Sequence, residues 1–547
     1  MDVTCTLMRT LCRLAILSAR PFALLLTLAV TLAGLNFAAP AGSAAVQAAP
    51  DDPNTLDMAE GYTPGAIDWQ PCPENAELDC GTLTLPVDYQ QPRGKTFDMA
   101  VIRARTLNSS KYIGVLFTHP GIHLAGVDFI LSGVDTPVFN RIRARFDIVS
   151  LDPRGAGRTR KLDCGFDLPD VPTDQSDASL IAYFDDYGRR VAEQCLDQDP
   201  GFVLSISANS FARDIEMFRR ALGEHRLSFG MISNSGPVAA VYASLFPKRV
   251  RAMLIDSTVA PEFRDYLIER WSEESASYDL ALRRADQICR RDVSCPLHEM
   301  GVVAAFDTVF ARLLTEPVTA PNGTKFTARD LSDTFFNLLP VEQRWPLVAG
   351  ALSQALAGDF TLFFQLQSPP SNAGDGFIAR SCNDYGTRRT AADYLPMIEA
   401  VGDTYPRFIG RFMLANIIAS CSAWPDPDPP IIHNVQRQLD VPILLIGSEF
   451  DPAVPLSWTK RMAQALGMEQ HVVRYQGGGH VLVQRSDIPC ISDVIDSYLF
   501  DLRLPSEGYT CPAVSLAPRV QQNGTQALDA ANDEPWGMEQ LDIRYGE

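Results

Sequence analysis

No Cys-x-x-Cys pair and no cysteine–histidine cluster occurs in this chain, which removes the common signatures of zinc sites and thioredoxin-like redox centres. Beyond residue 50 no apolar run is long enough to cross a bilayer. Basic charge is in deficit: 47 Lys and Arg stand against 66 Asp and Glu, a formal net charge of -19. That balance excludes nucleic acid and anionic membrane surfaces as the main partners. Lysine is scarcer still, six of the 47 basic residues, a bias of usage that carries no chemistry. Apolar residues are not lacking. They make up 46% of 547 residues, enough for a large core in one interrupted domain or in several.

The first 48 residues read as a secretory signal. Arg9, Arg13 and Arg20 precede an apolar run from Phe22 to about Ala39, and small residues follow, with cleavage expected after Ala44 or Ala48. An uncleaved anchor is the alternative. No twin-arginine pair is present, so general secretion to a periplasmic or extracellular location is expected, with no stable membrane association once the signal is removed. Ten cysteines lie beyond the signal. In an exported chain an even set suggests disulfides, and the expected pairs are sequential: Cys72/Cys80, Cys164/Cys195, Cys289/Cys295, Cys382/Cys421 and Cys490/Cys511. Spacing alone does not fix that connectivity.

From Cys80 to Asp152, short apolar runs such as "GTLTLPVDY", "YIGVLFTHPG" and "FDIVSLDPRG" alternate with turns and predict strands. In "NSFARDIEMFRRALG", Phe211, Ile215, Phe218 and Leu222 share one helical face, with Asn209 or Ser210 as the cap and Gly223 as the stop. Strands then alternate with helices, which implies a mostly parallel, doubly wound sheet covered on both faces. Helical patterns dominate from 261 to 430 before the alternation returns. The expected organisation is a core from 49 to 260, a helical cap insertion over 261–430, the rest of the core over 431–512, and an acidic tail over 513–547.

Three residues follow predicted strands in the order serine, acid, histidine: Ser233 after "LSFGMI", Asp451 after "ILLIGSEF" and His480 after "VVRYQGGG". Acyl transfer needs an oxygen nucleophile, a base to take its proton, and an acid to orient that base. In a doubly wound sheet the carboxyl ends of the strands open onto one crevice, so distant loops can converge there. Any one of these residues alone reads as an ordinary turn residue. Their joint order is that of the α/β hydrolases.

At these residues the chain resembles the secreted tripeptidyl-aminopeptidase-like branch of the α/β hydrolases, relatives of the prolyl aminopeptidases. The similarity runs from about Cys72 to Cys511, with gaps in the cap. It is carried by "FDIVSLDPRGAGRTRKLDC", "ARDIEMFRRALGEHRLSFGMISNSG", "YASLFPKRVRAMLIDSTVAP", "SCND", "CSAWP", "PILLIGSEFDPAVP" and "GGGHVLVQ". In the family pattern the nucleophile lies ten residues after the glycine here numbered Gly223 and fourteen before Pro247, which selects Ser233 over Ser235. The resemblance implies a serine peptidase that removes short peptides or single residues from free N-termini, without metal or organic cofactor. Its substrate would be a peptide or small acyl compound. Backbone N–H groups of Asn234 and Ile122 would form the oxyanion hole, and Asp384, in "SCNDYG", would bind the substrate amine. Glu273, Glu274 and Glu342 are alternatives for that last role.

Two departures stand out. The family has glycine two residues either side of the nucleophile, where this chain has Met231 and Ser235. A methionine in so crowded a corner costs ~1–3 kcal/mol if its surroundings have not shrunk. The oxyanion loop is "HPGIHLAG", one residue shorter than the family's. His119 and His123 within it read as backbone-bonded loop histidines or as added substrate contacts. These departures keep two rival readings open: an ester or amide hydrolase on the same scaffold, and a binding protein that has lost catalysis.

Overall fold

The computed structural model describes residues 62–121, 124–164, 176–366, 375–385, 388–407 and 420–515. The expected signal and nearly all of the expected tail lie outside them. The main sheet has ten strands: β1 (Gln70–Pro71), β2 (Asp79–Pro86), β3 (Thr96–Ala104), β4 (Gly114–His119), β5 (Phe146–Leu151), β6 (Leu227–Ile232), β7 (Val250–Asp256), β10 (Leu444–Phe450), β11 (Val472–Gly478) and β12 (Thr510–Cys511). A separate hairpin pairs β8 (Val318–Thr319) with β9 (Lys325–Phe326). The order across the sheet is β1-β2-β3-β5-β4-β6-β7-β10-β11-β12. The first three strands run antiparallel, and every pairing from β5 to β12 is parallel.

This is the doubly wound, mostly parallel sheet expected of an α/β hydrolase. All six residues of β6 are buried, because a central parallel strand is covered on both faces. Alternate side chains feed two cores. Phe117, Phe229, Met231 and Ile255 face one, while Leu116, Ile232, Leu254 and Ile446 face the other. Helix Ala208–Ala221 buries Phe211, Ile215 and Phe218 as its spacing predicts. Its cap, however, is Ser207, whose hydroxyl accepts the Ser210 N–H at 3.1 Å. Asn209 does not cap because its amide is taken by the chain that returns at 428–431, through Pro429 O at 3.0 Å and Ile431 N at 2.9 Å.

Between β7 and β10 the regular elements of the described chain are helices apart from the small hairpin. Helices from Tyr266–Arg291 to Thr361–Leu366 build a core of their own around Phe306, Phe335, Trp345 and Phe363. Asp375–Asp384 and Ala391–Thr404 instead pack into the main core, through Phe377, Ile378, Tyr394 and Ile398. Among the described residues, no helix is long and apolar enough to cross a membrane.

All five expected disulfides are present, with Cα–Cα distances between 4.3 and 5.7 Å. Cys382–Cys421 closes a separation of 39 residues. Peptide mapping of the unreduced protein is expected to return the five sequential pairs. Replacing both Cys382 and Cys421 by serine is expected to cost roughly 3–4 kcal/mol in urea unfolding, from the loop entropy restored to the unfolded chain. An unchanged midpoint would show that the bridge constrains nothing.

Candidate active site

Ser233 lies at the turn where β6 enters helix Gly236–Leu245, with φ at +53°. A non-glycine residue in the left-handed region is uncommon, and such strain concentrates at functional corners. The corner is held on both sides. Val259 N donates to Ser233 O at 3.4 Å, and Ser235 ties the turn back to the sheet. The Ser235 hydroxyl accepts from Ile232 N at 2.8 Å and lies 2.6 Å from Ile232 O and 2.9 Å from His119 O. Ser235 is 0% exposed, so its oxygen has no access to a substrate, whereas Ser233 is only partly buried.

The two departures from the glycine pattern have physical accounts. Met231 is fully buried in the main core, paired in register with His119 on one side and Ile255 on the other. The same core holds small side chains at Ala208, Ala212, Ala239, Ala240 and Ala243. The closest approach in the turn falls one residue later than expected. A Cβ at Gly236 would lie 1.8 Å from Thr258 Oγ1, beyond the end of β7.

Asp451 follows β10 and is buried. Its Oδ1 accepts the N–H groups of Ala453 at 3.0 Å and Val454 at 2.9 Å, which fixes the carboxylate. Its Oδ2 lies 2.8 Å from His480 Nδ1. With Nδ1–H donating to that carboxylate, Nε2 is left as the basic nitrogen. Burial acts to lower the His480 pKa, but the charge and hydrogen bond of Asp451 outweigh it and hold the ring above its ordinary value. The turn carrying His480 is anchored from the helical block. His480 N donates to Pro340 O at 2.7 Å, and Gly478 N donates to Glu342 Oε1 at 2.9 Å. The glycine run is needed here, since a Cβ at Gly478 would meet the Trp345 ring at 2.4 Å and Gly479 has φ at +95°.

Ile122 and His123 lie outside the described residues, so the expected oxyanion loop is seen only at its edges. His119 is fully buried, its Nδ1 accepting from Gly121 N at 3.2 Å. Burial lowers its pKa to about 3, so the ring stays neutral, which fits the backbone-bonded reading. Downstream, Asp152 accepts Val127 N at 2.8 Å and braces the helix Gly126–Gly133. Asn234 is buried in the turn after Ser233, and its side-chain Oδ1 has no hydrogen-bond partner among the described residues.

Asp384 requires a correction. Expected to meet a substrate amine, it is 0% exposed, and both oxygens are committed within the chain. Oδ1 accepts Ala208 N at 2.9 Å, at the start of helix Ala208–Ala221, and Oδ2 pairs with Arg380 Nε at 2.7 Å. A motif beside a cysteine marks a helix that docks onto the core, and the acid within it does the docking. Glu273 is likewise spent on Trp458 Nε1 and Arg461, and Glu342 on the histidine turn. Glu274 differs. It is buried, its ion pair with Arg270 Nε is 3.5 Å long, and the charges of His480 and Asp451 act on it. Burial raises its pKa to about 7 against the opposing pull of Arg270. Sequence reasoning held this residue only as an alternative. Its position one helical turn after Arg270, facing the sheet edge, carries no local signature.

A mostly parallel sheet whose carboxyl edge carries serine, acid and histidine in that chain order defines an α/β hydrolase. Residues 406–511 match the family model described as TAP-like protein. Over most of its length the chain is similar to serine protease Hip1 of Mycobacterium tuberculosis, with 25% identity over 500 residues, covering 83% of this chain and 92% of the relative. It is similar to the tripeptidyl aminopeptidase of Streptomyces lividans, with 25% identity over 473 residues, 81% of this chain and 86% of the relative. A protein named carboxylesterase B, also from M. tuberculosis, is 26% identical over 522 residues, 89% of this chain and 97% of the relative. The chain has the α/β-hydrolase fold, carries a segment that matches the TAP-like family, and is an enzyme of the serine hydrolase class.

If Asp384 is the tie described, Asp384→Ala strands a buried Arg380 and is expected to destabilise the fold by about 3–5 kcal/mol in chemical denaturation. A variant of unchanged stability with a raised KM would restore Asp384 as a substrate contact.

Proposed function

We propose that the chain is an exported serine aminopeptidase that releases short peptides or single residues from free N-termini through an acyl-enzyme. The observation that carries the reading is the His480–Asp451 pair at 2.8 Å, at the same sheet edge as the left-handed corner at Ser233. Five disulfides favour an oxidising, exported location.

In this reading Ser233 Oγ attacks the scissile carbonyl as His480 Nε2 takes its proton. The oxyanion of the tetrahedral intermediate is met by the backbone N–H groups of Asn234 and Ile122. His480 then passes the proton to the leaving amine, and water hydrolyses the ester by the same relay. Asp451 holds the imidazole in the useful tautomer and stabilises its charged form. Glu274 takes the place first expected for Asp384 and pairs with the substrate's α-ammonium, an interaction strengthened by burial. Such a charge would also favour the ionised form of Glu274, so binding and ionisation reinforce each other.

The relative named a carboxylesterase supports a second reading, an ester hydrolase in which Glu274 meets no amine. Labelling with a fluorophosphonate probe tests the shared chemistry. Wild type and Ser235→Ala are expected to be labelled and Ser233→Ala not, and the labelling rate is expected to fall as pH drops through a value above 6.5, where His480 takes up a proton. A folded wild type that is never labelled would point to the binding protein. Glu274→Gln separates the two hydrolases. For an aminopeptidase, kcat/KM on free-amino peptide anilides is expected to fall ~10–100-fold, well beyond the smaller loss on N-blocked esters that follows from removing one charge near His480. Equal loss on both substrates would remove Glu274 as the amine anchor.

A further inference from the structure

Beside the strand that leads to Ser233 there is a second buried carboxylate that this mechanism does not use. Asp256 ends β7, where it stands in register between Ile232 of β6 and Ile446 of β10. It is fully buried. We propose that Asp256, with Ser257, is a positioning element for the base: it grips the turn that follows His480 and sets a second negative charge against the imidazolium.

The grip is a pair of hydrogen bonds to one turn. Asp256 Oδ2 accepts Val483 N at 2.7 Å, and Ser257 Oγ accepts Val481 N at 3.3 Å while lying 3.1 Å from Asp256 Oδ1. Ser257 is itself fixed to the neighbouring strand, its N–H donating to Ile446 O at 2.9 Å. Both ends of the contact are strained. Ser257 has φ at +51° and Val481 has φ at +63°, a conformation that a β-branched residue resists. Strain of about 1–3 kcal/mol per residue persists only where surrounding contacts over-determine it. The two amides on the far side of His480 supply that determination, while Pro340 and Glu342 hold the near side.

The charge follows from the same placement. Three carboxylates act on His480: Asp451 from the end of β10, Asp256 from the end of β7, and Glu274 from helix Tyr266–Arg291. Arg270 answers Glu274, and Arg485 lies 3.8 Å from Glu342 beyond the turn. Burial raises the Asp256 pKa to about 6, opposed by the Val483 amide, and its negative charge acts with that of Asp451 to raise the His480 pKa.

This inference rests on reading His480 as the base, so its test uses one readout that needs no turnover. In Asp256→Asn the amide oxygen still accepts the Val483 N–H but the charge is gone. The His480 ring titration, followed by NMR and assigned against His480→Gln, is expected to shift down by roughly one pH unit. The rate of fluorophosphonate labelling at pH 8 is expected to fall on the order of tenfold. Ser257→Ala keeps the charge and releases Val481, so labelling should slow several-fold with the His480 titration unmoved. Should Asp256→Asn fail to fold, Ser257→Ala still decides the grip. A folded Asp256→Asn with wild-type titration and labelling rate would reduce Asp256 to a structural acid, and wild-type labelling in Ser257→Ala would remove the grip. A titration shift in a protein never labelled at Ser233 would keep the electrostatic link while sinking the hydrolase reading.

Discussion

The site depends on backbone held where side chains resist going. Among the described residues five that are not glycine have φ in the left-handed region, and three of them, Ser233, Ser257 and Val481, sit beyond the carboxyl ends of β6, β7 and β11. Each costs about 1–3 kcal/mol. Together these costs are a sizeable fraction of the stability of an ordinary domain. They are tolerated because the strands beneath are paired in parallel, with β6 wholly and β7 almost wholly buried, leaving the corners little freedom to relax. The Ser235 hydroxyl and the Ser257 backbone each bind one strand end to the next, and the Asp256 carboxylate reaches past β10 to the turn after β11. The edge is therefore a connected hydrogen-bonded rim rather than a set of separate loops.

That rim explains how a corner without flanking glycines can form. The rule of small neighbours expresses the close approach of strand, turn and helix, and the approach has to occur somewhere. Here it occurs at Gly236 against Thr258, while Ser235 fills the earlier position with a hydroxyl that bonds β4 to β6. Met231 belongs to the main core, which also holds alanines of the flanking helices.

What was legible in the sequence follows a physical division. Strand–helix alternation and the sequential cysteine pairs are local, because hydrophobic period and short loops are written along the chain. Ser233, Asp451 and His480 could be named because each follows a strand, and parallel strands bring their ends to one edge. The cap of helix Ala208–Ala221 was misplaced by two or three residues, since Asn209 answers to residues 428–431, distant in sequence. Asp384 was misjudged for the same reason. Nothing local in "SCND" says that its carboxylate closes on Ala208 N, 176 residues earlier. Burial and pairing are tertiary facts, and a titratable residue's role turns on them.

The division is sharpest for the acids. Asp384, Glu273, Glu342, Glu274, Asp256 and Asp451 are all carboxylates, and their composition does not separate them. Hydrogen-bond supply does. A buried carboxylate whose oxygens are filled by the chain's own donors is a structural tie, because an incoming ammonium would first have to displace those bonds. Asp384 and Glu342 are of this kind, and the partly exposed Glu273 is held by Trp458 and Arg461. Asp451 and Asp256 divide their oxygens between backbone amides and the histidine or its turn, which suits groups that aim a base rather than bind a ligand. Glu274 has a long ion pair and a raised pKa, the condition of a carboxylate lacking a full counter-charge. In a site already charged by Asp256 and Asp451, the cheapest way to complete that counter-charge is a cation from outside.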